Sequence, residues 1–193
     1  MYDFIEGILV EKNPAYCVIE TGGFGYFVQI SLPTYSWLEK QQRVRLYIHQ
    51  VVREDALLLF GFQNKEEREM FRLLLTVSGV GANTARMILS SLASDELQQA
   101  IQTGNTTVLQ SIKGIGLKTA QRIIIDLNDK IRKEKITGEL FPLKDNSLKD
   151  EALSALVILG FNKGEAEKTI GKILMDNKAV SLEELIRKAL KLL

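Results

Sequence analysis

The sequence Gly79-Val80-Gly81-Ala82-Asn83-Thr84-Ala85-Arg86 is followed 35 residues later by the related sequence Gly114-Ile115-Gly116-Leu117-Lys118-Thr119-Ala120-Gln121. When residues 74–89 are aligned with residues 109–124, six positions are identical, and both glycines of each turn are among them. Each copy lies between two apolar runs with helical spacing. The repeat therefore predicts two successive units of helix, tight glycine turn and helix.

A turn of this kind is suited to binding a phosphate. The backbone N–H groups of the turn and of the following helix point outward together and carry a partial positive charge. Glycine is expected because a Cβ atom would force the turn apart or block the approach of a ligand. This is the helix-hairpin-helix pattern, which binds a nucleic-acid backbone without reading the bases. Two copies suggest a pair of binding sites related by a local twofold axis.

The composition is that of an ordinary globular protein, with 46% hydrophobic and 25% charged residues among 193. Residues 1–62, 63–134 and 135–193 carry net charges of −2, +2 and +1. This weak asymmetry favours phosphate contact by placed amides and a few cations rather than by bulk charge. Because Cys17 is the only cysteine and no secretory or membrane-spanning pattern is visible, we expect a cytoplasmic protein without a disulfide.

Residues 1–62 are rich in β-branched and aromatic residues with turn signals between the runs. Five short strands within about 60 residues predict a small barrel of the OB type. The predicted strands are Ile5–Val10, Tyr16–Glu20, Tyr26–Ile30, Val44–His49 and Ala56–Phe60.

From Asn64 onward the apolar spacing becomes helical, and residues 63–134 are predicted to form an all-α domain that begins at a capping box of Asn64 and Glu67. Residues 135–146 lack any period and are predicted to be a flexible linker. Residues 147–193 are predicted to form a small domain of three helices, the first starting at Ser147 and the third at Ser181.

The residues that usually carry catalysis are sparse. His49, the only histidine, and Cys17 are both predicted to be structural residues within strands. The stretch Gly116-Leu117-Lys118-Thr119 lacks the glycine that directly precedes the lysine of a phosphate-binding P-loop. We therefore predict no catalytic residue, metal or cofactor in this chain.

Glu54 and Asp55, at the tip of a predicted hairpin, leave three interpretations open. They are solvated turn residues, part of a metal or catalytic site, or negative charges that repel phosphates and hold DNA strands apart.

The whole chain resembles the bacterial RuvA family of Holliday-junction-binding proteins. The resemblance rests on the strand-rich start, the run Val51–Ala56 leading to Leu59–Phe62, the paired glycine hairpins, the linker, and Leu159-Gly160-Phe161. It implies an OB-fold barrel, a double helix-hairpin-helix domain, a flexible tether and a three-helix domain similar to ubiquitin-associated modules. It further implies a non-catalytic homotetramer that holds a four-way junction in an open planar form, with one or two tetramers at each junction.

The resemblance also assigns roles to individual residues and partners. Glu54 and Asp55 become an acidic pin that separates strands. The partners implied are four-way junction DNA, the ATP-driven motor RuvB and the resolvase RuvC, acting together in recombination and DNA repair. Contact with the DNA backbone is expected at Gly79, Val80, Gly81, Arg86, Gly114, Ile115, Gly116, Lys118 and Arg122, and contact with the motor at Leu156, Leu159, Phe161 and Leu190.

Two positions depart from the family pattern, because Asn83 and Leu117 stand where relatives commonly have lysine. Arg86 and Arg122 are expected to compensate in part. Two other functions stay open at this point. One is a general helix-hairpin-helix scaffold that binds duplex DNA, and the other is a DNA repair enzyme subunit, for which Asp126 and Asp129 are the nearest candidate acids.

Overall fold

Five strands form a closed barrel in the first part of the chain, with the order β1-β2-β3-β5-β4. The computed structural model describes residues 2–137, 148–176 and 181–193. All neighbouring strands run antiparallel except β3 and β5, which pair in parallel. This is the topology of an OB fold, so that prediction is confirmed. The strands are β1 (Phe4–Asn13), β2 (Tyr16–Thr21), β3 (Phe24–Ile30), β4 (Arg43–Val52) and β5 (Leu57–Phe62).

A short helix, α1 (Leu32–Leu38), joins β3 to β4 and was not predicted from the sequence. Ser31 caps it, because the Ser31 side chain accepts a hydrogen bond from the amide of Thr34. Pro33 lies in the first turn, a position that proline tolerates well. These two signals were present in the sequence, but seven residues are too few to display a helical period.

Five helices follow the barrel and confirm the predicted all-α region. They are α2 (Lys65–Leu75), α3 (Ala82–Ser91), α4 (Ser94–Gln102), α5 (Thr106–Gln110) and α6 (Leu117–Thr137). Barrel and helices up to Ile131 belong to one compact unit of the chain.

Glu67 joins α2 to the barrel. Asn64 caps α2 by accepting from the amide of Glu67 at 2.8 Å, as predicted. The second half of the predicted capping box is wrong, because the Glu67 carboxylate does not return to Asn64. It accepts hydrogen bonds from the hydroxyls of Ser31 and of Thr34, the latter at 2.9 Å. A buried carboxylate needs such donors, and only the tertiary fold supplies them.

Arg68, the next residue, makes a second polar contact with the barrel. Its guanidinium is buried and donates to the Asp3 carbonyl at 2.8 Å and to the Asp3 carboxylate at 2.6 Å. It also lies 5.5 Å from the centre of the Tyr47 ring. Two adjacent residues of α2 therefore hold the helical region against the barrel.

In the described part of the second compact unit, residues 132–193, three helices follow the end of the preceding helix and pack around their own apolar core. Ser181 caps the last of them, as predicted, by accepting from the amide of Glu184. The helices are α7 (Leu148–Ile158), α8 (Lys163–Asp176) and α9 (Leu182–Leu192).

The predicted linker and the predicted start of α7 lie largely outside the described residues. Helix α6 continues through Thr137, so it includes the first three residues of the predicted linker 135–146. Residues 138–146 and Ser147 are not described. None of the helices in the described part of the chain is long and apolar enough to cross a membrane.

Candidate nucleic-acid interface

The two glycine turns have the same backbone geometry. Gly79 has φ +88° and Gly114 has φ +91°, values in the left-handed region that glycine tolerates best. The first turn is closed by a hydrogen bond from Val80 N to Val77 O, and the second by one from Ile115 N to Ile112 O, both of 3.0 Å. The sequence repeat is thus also a structural repeat.

Val80 and Ile115 hold these turns to the rest of the fold. Both side chains are buried, and both backbone amides are already donated within the turn. The amides on either side belong to the exposed glycines 79, 81, 114 and 116, and no described residue accepts a hydrogen bond from them. A phosphate would therefore meet the glycine amides first.

The helices that follow the turns begin without a side-chain cap. Gly81 precedes α3 and has no side chain to offer, whereas Ser31, Asn64, Asn105 and Ser181 each cap their own helix. No described side chain accepts a hydrogen bond from the first amides of α6 either. Because the first four amides of a helix lack intrahelical acceptors, α3 and α6 each present a cluster of free donors.

Gly81 and Gly116 differ from Gly79 and Gly114, because their backbone conformation does not explain why they are glycine. Neither has a left-handed φ, and a Cβ atom added to either would meet no atom within 4 Å. Neither backbone strain nor internal packing requires glycine there. The space that a side chain would occupy lies outside the protein, where a ligand would approach.

The two hairpins differ in the number and exposure of the cations beside them. Lys118 and Arg122 are exposed on α6, and no described residue pairs with them. At the position of the first hairpin that corresponds to Lys118 stands the exposed Asn83, and Leu117 is exposed without a charge. Arg86 is only half-exposed, and its Nη1 atom donates to the carbonyl of Ala15 in the barrel at 2.7 Å.

The acidic residues lie at the tip of the β4–β5 hairpin. Arg53 N donates to Ala56 O at 2.8 Å and closes the turn, which leaves Glu54 and Asp55 exposed. Among the described residues no cation pairs with either carboxylate. The tip therefore carries two negative charges without a partner.

Of the two residues weighed for metal binding or catalysis, Cys17 is buried and His49 is half-buried. Burial raises the pKa of the Cys17 thiol to about 12. The His49 and Phe71 rings pack edge to face with their centres 5.3 Å apart, and burial, together with the nearby Arg72 and Arg68, lowers the pKa of His49. The described residues contain no group of three or more His, Cys, Asp or Glu side chains that could hold a metal.

The two candidate acids for an enzyme lie on α6. Asp126 is partly exposed, and the side chain of Asp129 lies outside the described part of the chain.

The four apolar residues proposed for motor contact fall into two groups. Leu156 is fully buried in the core of the C-terminal unit, and Phe161 packs against that core. Leu159 is 59% exposed and Leu190 is 43% exposed. Leu156 is therefore a core residue, while Leu159 and Leu190 are accessible to a partner. Ile158, which the sequence analysis did not name, is exposed next to Leu159.

Three family models match successive parts of the chain. The RuvA N terminal domain matches residues 1–61, a SAM-like helix-hairpin-helix tandem matches residues 71–129, and the RuvA C-terminal domain matches residues 147–193. The middle match includes both glycine turns.

Curated relatives are similar over their full length. A protein of Christiangramia forsetii is 49% identical over 191 residues, which is 99% of both chains. Proteins of Bacteroides fragilis and Azobacteroides pseudotrichonymphae genomovar. CFP2 are 44% and 46% identical, over 99% and 100% of both chains. Each of these relatives is named Holliday junction branch migration complex subunit RuvA.

Proposed function

The chain belongs to the RuvA family, and from this we propose that it binds four-way DNA junctions by their structure. It holds them in an open planar form and recruits a RuvB-type ATPase motor for branch migration in recombination and DNA repair. The names of its relatives, which are subunits of a branch migration complex, support this proposal.

The observation that carries the proposal is the pair of open glycine hairpins. Each presents unpaired glycine amides and an uncapped helix N-terminus, and each leaves open space where a side chain would otherwise project. Backbone amides in this arrangement bind phosphate oxygens and carry no information about base sequence. Two such sites favour binding to the backbone at more than one point. Lys118 and Arg122 supply the charge beside the second hairpin.

We propose that the acidic tip discriminates between DNA molecules by their shape and does not contribute to affinity. No described cation forms an ion pair with Glu54 or Asp55, so a phosphate that approached these carboxylates would be repelled. A negative tip that projects from a DNA-binding protein favours an opened junction over a continuous duplex. The metal-binding interpretation of these two residues has no third acidic, His or Cys ligand among the described residues to support it.

The proposed assembly is a homotetramer around the junction, with RuvB and the resolvase RuvC as partners and one or two tetramers at each junction. In this proposal the chain itself is non-catalytic, and ATP is hydrolysed by the motor. The word subunit in the relatives' names supports a chain that works through a partner. We place this activity in the cytoplasm, in keeping with the single buried cysteine.

The C-terminal unit is proposed to bind the motor. It has its own core, and it exposes Leu159 and Leu190, together with Ile158. Where exposed large apolar residues form a contiguous patch, they mark a protein interaction surface.

The decisive measurement compares two DNA molecules of equal length, a four-way junction and a linear duplex. We expect the junction to bind at least about tenfold more tightly, which corresponds to about 1.4 kcal/mol. Both affinities should fall steeply with salt because phosphate contacts release counterions. Equal affinity for the two DNA molecules would instead support the general duplex-binding scaffold. Cleavage or base release by the purified protein would support a repair enzyme.

A further inference from the structure

The side of α3 that faces the barrel carries a polar contact through Arg86. The Arg86 Nη1 atom donates to the carbonyl of Ala15, in the turn between β1 and β2, at 2.7 Å. The same carbonyl accepts from the amide of Ile30, at the end of β3, at 3.1 Å. Arg86 thus binds an oxygen that already belongs to the hydrogen-bonding framework of the barrel. Burial of the guanidinium lowers its pKa, as expected for a side chain withdrawn from water.

Ser90, one helical turn further along α3, makes a second contact with the barrel side of the unit. Its hydroxyl donates to the carbonyl of Arg86 at 2.8 Å and accepts from the amide of Leu32 at 3.2 Å. Leu32 is the first residue of α1, so its amide has no acceptor within that helix. Ser90 supplies this acceptor.

Among the described residues, the second hairpin makes no equivalent contacts. The alignment of the two repeats places Gln121 opposite Arg86 and Ile125 opposite Ser90. Gln121 is exposed, and the Ile125 side chain is 72% exposed. One hairpin is therefore fastened by two hydrogen-bonding side chains, one to the barrel and one to α1, while the corresponding positions of the other hairpin are exposed.

We propose that Arg86 and Ser90 are positioning residues that hold the first hairpin at a fixed place relative to the acidic tip of the barrel. We name this pair of contacts the α3 clamp. The barrel carries Glu54 and Asp55, and α3 carries the free amides that follow Gly81. The clamp therefore sets the spacing between a surface that repels phosphate and one that binds it. This inference rests on the proposed function, and it replaces the role of Arg86 as a phosphate contact.

The clamp should affect binding to a four-way junction more than binding to a linear duplex. A linear duplex needs only the hairpins, so a hairpin that shifts relative to the barrel can still bind it. A four-way junction has to meet the hairpins and the acidic tip together. Loosening the clamp should therefore weaken junction binding and leave duplex binding nearly unchanged.

Four variants of the full-length protein test the clamp. Arg86→Met keeps most of the side-chain stem but removes the donor and the charge, whereas Ser90→Ala removes only a hydroxyl. Ser91→Ala is the matched control for Ser90, because the Ser91 hydroxyl donates to Met87 O at 2.9 Å in the same helix and has no barrel partner. Arg122→Met is the matched control for charge, since Arg122 is an exposed cation beside the second hairpin.

Affinity for a labelled four-way junction and for a linear duplex is measured at several salt concentrations. We expect Arg86→Met and Ser90→Ala each to lower the ratio of junction to duplex affinity by about three- to tenfold, the effect of one lost hydrogen bond. The dependence of log affinity on log salt should keep its wild-type slope in both. Arg122→Met should reduce that slope by about one, and Ser91→Ala should match wild type. In Ser90→Ala the Leu32 amide should exchange faster with deuterium, which confirms that the contact is broken.

Two results would overturn the clamp. If Arg86→Met reduces the salt slope by about one and Ser90→Ala binds like wild type, Arg86 contacts a phosphate. If neither variant changes the ratio although Leu32 exchanges faster, the contacts are structural only. A wild-type protein with no preference for junctions would contradict the proposed function itself, and that result is separate because it does not depend on any variant.

Discussion

At the residue scale, the four hairpin glycines have two different reasons for being glycine. Gly79 and Gly114 have left-handed φ values, so the turn itself favours them. Gly81 and Gly116 are free of both backbone strain and internal contacts. Substitutions at the two kinds of position should therefore affect different properties of the protein.

We expect Gly81→Ala and Gly116→Ala to fold with a free energy of unfolding within about 0.5 kcal/mol of wild type. Each should weaken junction binding by about tenfold or more, because the methyl group keeps a phosphate from the helix amides. Gly79→Ala is the contrasting variant, since it should lower the free energy of unfolding by about 1–2 kcal/mol. Chemical denaturation and junction titration measure the two effects. Wild-type junction affinity in both Gly81→Ala and Gly116→Ala would show that the hairpins do not bind the backbone.

Glu67 should make the stability of the fold depend on pH. Burial raises its pKa, and hydrogen bonds from Ser31, Thr34 and the Gln63 amide offset only part of this effect. A carboxyl group with a raised pKa in the folded state holds its proton at a pH where the unfolded chain has lost it. The stability that Glu67 contributes is therefore fully present below the pKa that it has in the unfolded chain. This contribution is lost as pH rises through the higher pKa that Glu67 has in the folded protein.

Glu67→Gln removes this titration. The free energy of unfolding of wild type should fall relative to that of Glu67→Gln as pH rises from about 4.3 to neutral. The neighbouring Glu66→Gln is the control: it keeps Glu67, so its free energy of unfolding should fall relative to that of Glu67→Gln as that of wild type does. Urea denaturation at a series of pH values makes the comparison. A difference between wild type and Glu67→Gln that stays constant with pH would contradict the prediction.

At the scale of elements, the β4–β5 hairpin and the two glycine hairpins have opposite electrostatic properties. The hairpin tip carries two unpaired carboxylates, whereas α3 and α6 begin with unpaired amides. These elements belong to one compact unit. The unit can therefore attract a backbone at some points and exclude it at another.

Glu54→Gln with Asp55→Asn should raise affinity for both DNA molecules and raise it more for the linear duplex. The substitutions remove two negative charges that would otherwise repel the phosphates of a continuous DNA duplex. The ratio of junction to duplex affinity should fall several-fold. Glu20→Gln with Glu39→Gln removes the same charge elsewhere on the barrel side and should leave that ratio unchanged. A large loss of junction affinity in the Glu54/Asp55 variant, with its fold retained, would indicate a metal-binding or structural role for these residues.

At the scale of the whole molecule, the chain consists of two compact units that each have their own core. The proposed DNA contacts all belong to the first unit, and the proposed motor contacts belong to the second. A chain that ends at Thr137 should therefore bind junctions with wild-type affinity and fail to stimulate the motor. Junction titration and a branch migration assay with the motor test this. Full branch migration by the truncated chain would exclude the C-terminal unit as the motor-binding part.

Two variants of the full chain separate contact from folding in the C-terminal unit. Leu159→Asp alters an exposed residue and should lower motor binding while the unit stays folded. Leu156→Asp buries a charge in a small core and should unfold the unit, at a cost of several kcal/mol. Circular dichroism and a motor pull-down distinguish the two results. A folded Leu159→Asp variant with full motor binding would assign the contact to other residues of the unit.

The architecture could be predicted from the amino-acid sequence, because it depends on local patterns. The strand-rich start, the change to helical spacing at Asn64 and the repeated glycine turns predicted the barrel, the tandem hairpins and the three-helix unit in the right order. Each signal lies within a few residues of the element that it specifies. The short helix α1 was not predicted, because seven residues are too few to show a helical period.

The neighbours of the polar and apolar side chains could not be predicted, because they depend on how the elements pack. Glu67 looked like half of a capping box, but its carboxylate is bound by Ser31 and Thr34, which lie more than 30 residues earlier in the chain. Arg86 looked like an exposed cation, yet it binds Ala15 of the barrel. Leu156 and Leu159 are leucines in the same apolar stretch of sequence, and only the packing of the unit shows that Leu156 is buried and Leu159 is exposed. Contacts between residues distant in sequence depend on how the elements pack, and no local pattern encodes them.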